Sequence, residues 1–306
     1  MPKEIFGPDH AFLKRDELLS YEEIERLVRI FVRFGVEKVR ITGGEPLVRR
    51  DLAALISKLK TVDGLRDITL TTNGTLLRAQ ARSLRDAGLD RITISLDSLD
   101  DDVFQAMNDV GAHVDAVLDG IEAAAEVGLS PIKINAVVQG GVNDHTLVEL
   151  ARRFRGTGYI VRFIEFMDVG NSNGWLLDSV VPASEIIRRI GAEFPLEPVD
   201  ANYAGEVARR YRYKDGEGEI GLITSISQPF CGECTRARLS PEGELYTCLF
   251  ASGGTDLRTV LRSGAGNDAV ADVVATVWSR RDDRYSELRT SLTPNLPKVE
   301  MSHIGG

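Results

Sequence analysis

The stretch Lys38-Val39-Arg40-Ile41-Thr42-Gly43-Gly44-Glu45-Pro46 decides the fold. It reads as a short strand with Arg40 and Thr42 on one face and Val39 and Ile41 on the other, broken by two glycines. Working outward, the same strand-then-helix unit recurs. Strands are expected at 38–42, 67–72, 91–97, 132–138 and 159–166, with helices at 52–59, 78–87, 114–127 and 147–154 between them. An earlier helix should begin at Ser20, which has Glu23 three residues on. Repeated βα units imply a parallel sheet with helices outside it. Thr69 and Thr71, Thr93, Ser95 and Asp97, and Lys133 and Asn135 continue the polar face that Arg40 begins. A sheet with one polar face suits the lumen of a TIM-like βα barrel better than an open doubly wound sheet, whose strands are apolar on both faces. Gly43 to Pro46 and Thr72-Asn73-Gly74 then stand where such barrels carry their active-site loops.

After Phe166 the rhythm stops. A short helix at 182–190, strands at 207–213 and 219–224, a hairpin of 235–239 with 244–247, and helices at 257–262 and 268–279 complete the pattern. The reading is therefore α/β: a barrel over residues 1–168 and an α+β extension over 169–306. The 306 residues carry a net charge of -9, which argues against non-specific nucleic-acid binding. No apolar run is long enough to span a bilayer and no secretory signal opens the chain, so a cytoplasmic protein without membrane association is expected. Three cysteines fit a reducing compartment.

Those cysteines are Cys231 and Cys234, a Cys-x-x-Cys pair, and Cys248. This is metal-ligand spacing, open to an iron-sulfur cluster with a free position, a catalytic zinc, or a structural zinc completed by a residue such as His303. Arg236 and Arg238 share strand parity just beyond Cys234, as a phosphate or carboxylate clamp requires, and Arg40 and Lys133 would add positive charge to the same cavity. Two glycines let backbone approach a ligand closely, and Glu45 can accept a hydrogen bond from an amine.

Six segments now stand in one order: Thr42 to Leu47, Thr71-Thr72-Asn73-Gly74, Ile94 to Leu99, Phe163-Ile164-Glu165-Phe166-Met167, the cysteine array with Thr235-Arg236-Ala237-Arg238, and Gly305-Gly306. Together they resemble the radical S-adenosylmethionine (SAM) GTP 3′,8-cyclases of molybdenum-cofactor biosynthesis, over essentially the whole chain. The resemblance implies a partial barrel of the radical SAM type, with a C-terminal extension carrying a [4Fe-4S] cluster. It implies a lyase that converts GTP to 3′,8-cyclo-7,8-dihydro-GTP: SAM is cleaved reductively to a 5′-deoxyadenosyl radical, which takes the ribose 3′ hydrogen before the substrate radical closes on C8. By motif, Gly44, Glu45, Ser95 and Met167 would meet SAM, and Arg40, Thr71, Lys133, Arg236 and Arg238 would bind GTP. Cys231, Cys234 and Cys248 would hold the C-terminal cluster, while Gly305 and Gly306, with the two arginines, would complete the catalytic centre. A flavodoxin- or ferredoxin-type donor or small reductant and a homodimer are also implied.

The family's Cys-x3-Cys-x2-Cys motif, which holds a second, N-terminal [4Fe-4S] cluster, is absent from these residues. The resemblance thus implies a first strand and radical-generating cluster upstream of Met1-Pro2, and an inactive protein if the 306 residues act alone. The competing expectations are a non-catalytic iron-sulfur and purine-binding remnant, or another radical SAM enzyme with an auxiliary cluster.

Overall fold

Ser20 begins the first helix by reciprocal capping: its hydroxyl accepts from Glu23 N at 3.1 Å, and the Glu23 carboxylate accepts from Ser20 N at 2.8 Å. The helix, α1 (Tyr21–Val32), leads into the sheet of a computed structural model that describes residues 13, 14, 16–108, 111–171, 173–203, 205–289 and 297–305. Most of the irregular lead-in and Gly306 lie outside those residues.

The expected units follow. They are β1 (Lys38–Ile41), α2 (Leu52–Lys60), β2 (Asp67–Thr72), α3 (Leu77–Asp86), β3 (Arg91–Ser95), α4 (Asp101–Asn108), α5 (Val114–Glu126), β4 (Ile132–Val138), α6 (Leu147–Phe154) and β5 (Ile160–Glu165). Then come α7 (Ala183–Glu193), β6 (Leu196–Val199), β7 (Arg209–Tyr213) and β8 (Glu219–Ile223). These strands form one 8-stranded sheet in the order β1-β2-β3-β4-β5-β8-β7-β6. Strands β1 to β5 and β8 run parallel, and β6 and β7 run antiparallel at one edge. No pairing among the described residues joins β6 to β1, so the sheet is an incomplete barrel. Leu70, Ile94, Ile134 and Phe163 are fully buried between it and the outer helices.

Two elements of this part of the chain were not legible in the sequence. Helix α4 is opened by the Asp100 carboxylate, which accepts from Asp102 N and Val103 N, but it buries only Phe104 and so shows no apolar stripe. Strand β6 contains Pro198, which argues against a central strand and is tolerated because β6 is an edge. Helix α5 reaches the turn after β2 closely enough that a Cβ on Gly120 would sit 2.4 Å from the Gly74 carbonyl oxygen.

The rest of the extension is a 3-stranded sheet of β9 (Arg238–Leu239), β10 (Glu244–Tyr246) and β11 (Thr255–Asp256), followed by α8 (Arg258–Arg262), α9 (Asn267–Ser279), α10 (Tyr285–Leu288) and α11 (Met301–Ile304). It is welded to the N-terminal helix. Leu27 and Ile30 of α1 pack with Leu245, Leu257, Leu261, Val270 and Val274, while Val28 packs into the barrel core. The proposed division at residue 168 falls between β5 and β8, which pair within one sheet. No helix among the described residues is long and apolar enough to cross a membrane.

Candidate active site

The polar face of the sheet forms a row of hydrogen bonds. Arg40 Nη1 donates to Thr71 Oγ1 at 2.8 Å and to Thr93 Oγ1 at 3.4 Å. From the other side Arg162, on β5, donates through Nε to Asn135 Oδ1 at 2.9 Å and through Nη2 to Thr93 Oγ1 at 3.3 Å. Register explains the meeting: Thr71 faces Thr93, Thr93 faces Lys133, and Asn135 faces Arg162. The residue opposite Arg162 on β8 is Gly221, where a Cβ would stand 3.0 Å from the Arg162 stem. The missing side chain is what admits the guanidinium.

Arg162 is only 8% exposed, and burial with Arg40 close by pushes its pKa down to about 9. Lys133, half-buried, is pushed down to about 8 by burial and by Arg162 and Arg91. Arg40 remains open to solvent within the hollow, although the surrounding protein still depresses its pKa. Asp67 pairs with Arg91 and lies 3.5 Å from Lys38, but no ion pair among the described residues engages Arg40, Lys133, Arg162 or Arg238.

The strand ends carry the loop groups. Glu45 is tied to the end of β2: its Oε1 accepts from Leu47 N at 2.9 Å and from the Thr72 hydroxyl at 2.7 Å, and its Oε2 accepts from Asn73 N at 2.8 Å. Gly44 is exposed beside it, and Ser95 and Met167 are half-buried at or just past the ends of β3 and β5. Asp97, just past β3, accepts from Val137 N at 2.8 Å, yet burial pushes its pKa up to about 6. A folded-state value above the ordinary carboxylate value of about 4 means that the contribution of Asp97 to stability is greatest at low pH, declines as pH rises from about 4 to about 6, and stays lower above. Asp97→Asn keeps the acceptor for Val137 and should remove that decline, raising the neutral-pH melting temperature. Thermal melts from pH 4 to 8 with parallel slopes for parent and variant would refute this.

The terminal segment returns to the same place. Gly305 has φ +74°, its carbonyl accepts from Arg238 Nε at 3.1 Å, and a Cβ there would lie 2.3 Å from Thr42 Cγ2. Only glycine fits so close a passage at that backbone angle. Arg236 and Arg238 are partly buried while Thr235 and Ala237 are exposed, but of the two only Arg238 lies in a strand, β9, which is shorter than the expected 235–239.

Residues 6–154 match the family described as Radical SAM superfamily, and residues 159–287 match Molybdenum Cofactor Synthesis C. The chain is 52% identical to the GTP 3′,8-cyclase of Acidothermus cellulolyticus, covering 100% of this chain and 91% of that one. It is 50% identical to the GTP 3′,8-cyclase of Xanthomonas axonopodis pv. citri, with the same coverages. The chain belongs to the GTP 3′,8-cyclase family. A solved chain titled "Native anSMEcpe with bound AdoMet" overlays 60% of it and 54% of its own length, at 16% identity and a TM-score of 0.45.

As a radical SAM enzyme of the GTP 3′,8-cyclase family, the protein belongs to a class that uses a [4Fe-4S] cluster and SAM. Among its thiols, Cys234 has surroundings that suit a ligand role. Arg236 donates to Cys234 Sγ at 3.1 and 3.2 Å, and Phe250 N donates to Cys248 Sγ at 3.4 Å, contacts that favour thiolates. Burial opposes ionisation at Cys234, but the Arg236 charge together with hydrogen bonds from Arg236 and Arg281 lowers its pKa on balance; burial raises that of Cys248. The antiparallel pairing of Arg238 with Tyr246 places Cys234 and Cys248 at one end of the hairpin. No three His, Cys, Asp or Glu side chains among the described residues stand at metal-binding distance. His303, considered as a fourth ligand for a zinc site, pairs through Nε2 with Glu242.

Arg162 is the site residue that sequence reasoning missed. Its signal was a lone arginine inside the apolar strand Ile160–Glu165, at the strand position beside Asn135.

Proposed function

We propose that this protein is a GTP 3′,8-cyclase acting in molybdenum-cofactor biosynthesis, and that its sheet hollow binds GTP. One observation carries the reading: Arg40, Lys133, Arg162 and Arg238 have no carboxylate partner among the described residues. Holding such charge without a counterion is costly, and a polyanionic ligand would relieve it. Arg40, Thr71, Lys133 and Arg162 would grip the phosphates and ribose. Arg236 and Arg238 would orient the ligand from the extension, and Gly305 would close the cavity beside Thr42. Cys231, Cys234 and Cys248 would hold a substrate-side [4Fe-4S] cluster, with Gly44, Glu45, Ser95 and Met167 along SAM. Bound cluster and SAM supply the radical chemistry of the family. This chain's own residues position the ribose and exclude water. A flavodoxin- or ferredoxin-type donor, a homodimer and a cytoplasmic setting belong to the same proposal, the last supported by three free thiols.

The test is the pH dependence of GTP binding. An anion favours charged Lys133, whose free-state pKa is about 8, so binding takes up a proton above that pH. Affinity should weaken several-fold between pH 7 and pH 9 by calorimetry. Lys133→Met should bind more weakly at pH 7 and lose the lysine's share of the slope, leaving only that of GTP itself. Equal slopes in the two proteins, or no GTP binding by the parent, would sink the reading.

A further inference from the structure

Asp168 follows Met167 and is 2% exposed, yet it meets three cationic or phenolic groups from a distant part of the chain. Tyr285 donates its hydroxyl to Oδ2 at 2.5 Å, and Arg289 Nε donates to Oδ1 at 3.0 Å, with Nη2 2.9 Å from the same oxygen. Lys298 Nζ donates to the Asp168 carbonyl at 2.9 Å and to Oδ2 at 3.3 Å, and the Lys298 side chain is 1% exposed. Arg289 Nη1 also reaches the Ser225 carbonyl, and the Tyr285 ring stacks on Phe250 at 4.5 Å, two residues past Cys248.

The segment after Lys298 runs straight to the active site. Asn171 clasps it from both sides, through Nδ2 to the Lys298 carbonyl at 2.5 Å and through its backbone N to Glu300 Oε1 at 2.8 Å. Val299 N donates to Ala251 O at 2.9 Å, Ile304 is buried, and Gly305 receives the Arg238 bond. Removing one partner of a buried ion pair leaves the other charge buried and uncompensated.

We propose that Asp168 is a positioning residue: by holding Lys298 it fixes where the terminal segment lies, and so where Arg238 points in the substrate cavity. Both side chains are almost fully buried. The link runs from Asp168 to Lys298, along the segment to Gly305, and across the carbonyl bond to Arg238. It rests on the GTP reading only for its effect on ligand affinity.

The test uses the full chain, with Asp168→Asn, Lys298→Met and the double variant. Lys298→Met leaves Asp168 paired with Arg289 and Tyr285, so its melting temperature should stay near the parent's. Amide hydrogen exchange over residues 300–305 should nevertheless quicken about tenfold or more, and GTP affinity should fall about tenfold. Asp168→Asn should quicken the same amides, and the double variant should add little to either single change. Unchanged exchange over 300–305 in both single variants overturns the proposal, as does acceleration in Asp168→Asn alone, which would mark only general loosening. If the parent binds no GTP, the functional reading falls, and the exchange data still decide the anchor.

Discussion

Arg162→Met should bind GTP at least a hundredfold more weakly while resisting urea as well as the parent protein. The two halves of this result have one cause. Arg162 is buried at 8% exposure, without an acidic partner among the described residues, and its hydrogen bonds to Asn135 and Thr93 compensate only part of the desolvation of a guanidinium. Methionine fills a similar volume beside Gly221 without a charge to desolvate, so stability is not lost. The ligand, however, loses a charge-assisted contact inside a low-dielectric wall, and a hundredfold in affinity corresponds to about 2.7 kcal/mol. Titration calorimetry together with urea unfolding decides the matter. An unchanged dissociation constant would remove Arg162 from the site, and a large drop in the unfolding midpoint would show it to be structural.

Glu165→Ala should have the largest effect on stability, a loss of about 3–4 kcal/mol. The carboxylate is 1% exposed at the end of β5. It accepts from Ala183 N at 2.9 Å, Ile226 N at 2.9 Å and Ser227 N at 2.8 Å, and also from the Ser227 hydroxyl. One side chain therefore caps the start of α7 and pins the loop after β8 that leads to the cysteines. Alanine would orphan these donors and leave a void. Glu165→Gln, which keeps the shape but turns an amide NH2 toward backbone N–H groups, should cost about half as much. Urea unfolding at constant m-value measures both, and a loss below about 1 kcal/mol for alanine would refute the assignment.

The barrel was readable because its strands obey two local rules at once. Polar residues alternate with apolar ones, and glycines such as Gly64 and Gly88 punctuate the units with positive φ. The polar parity also picked out Arg40, Thr71 and Lys133 before any geometry was known. Parity could not show which polar groups reach one another across strands, since that depends on register, and Arg162 stood apart for that reason. The Asp168 cluster was hidden more deeply. Asp168 is separated from its partners by more than a hundred positions in the chain, and nothing local marks Tyr285, Arg289 or Lys298 as partners of the end of β5. At His303, where composition allowed a metal ligand, the fold pairs the ring with Glu242.

The seam between the two matched regions, which end at 154 and begin at 159, runs between β4 and β5. Those strands are paired from Lys133 with Ile160 through to Val138 with Glu165. A recombination event at that seam would cut not a linker but a hydrogen-bonded ladder, exposing two raw strand edges and splitting Arg162 from Asn135 and Thr93. A chimaera could survive only if the incoming half reproduced the twist and stagger of the strand it replaced. The two regions therefore share one hydrogen-bonded sheet and are not separate folding modules.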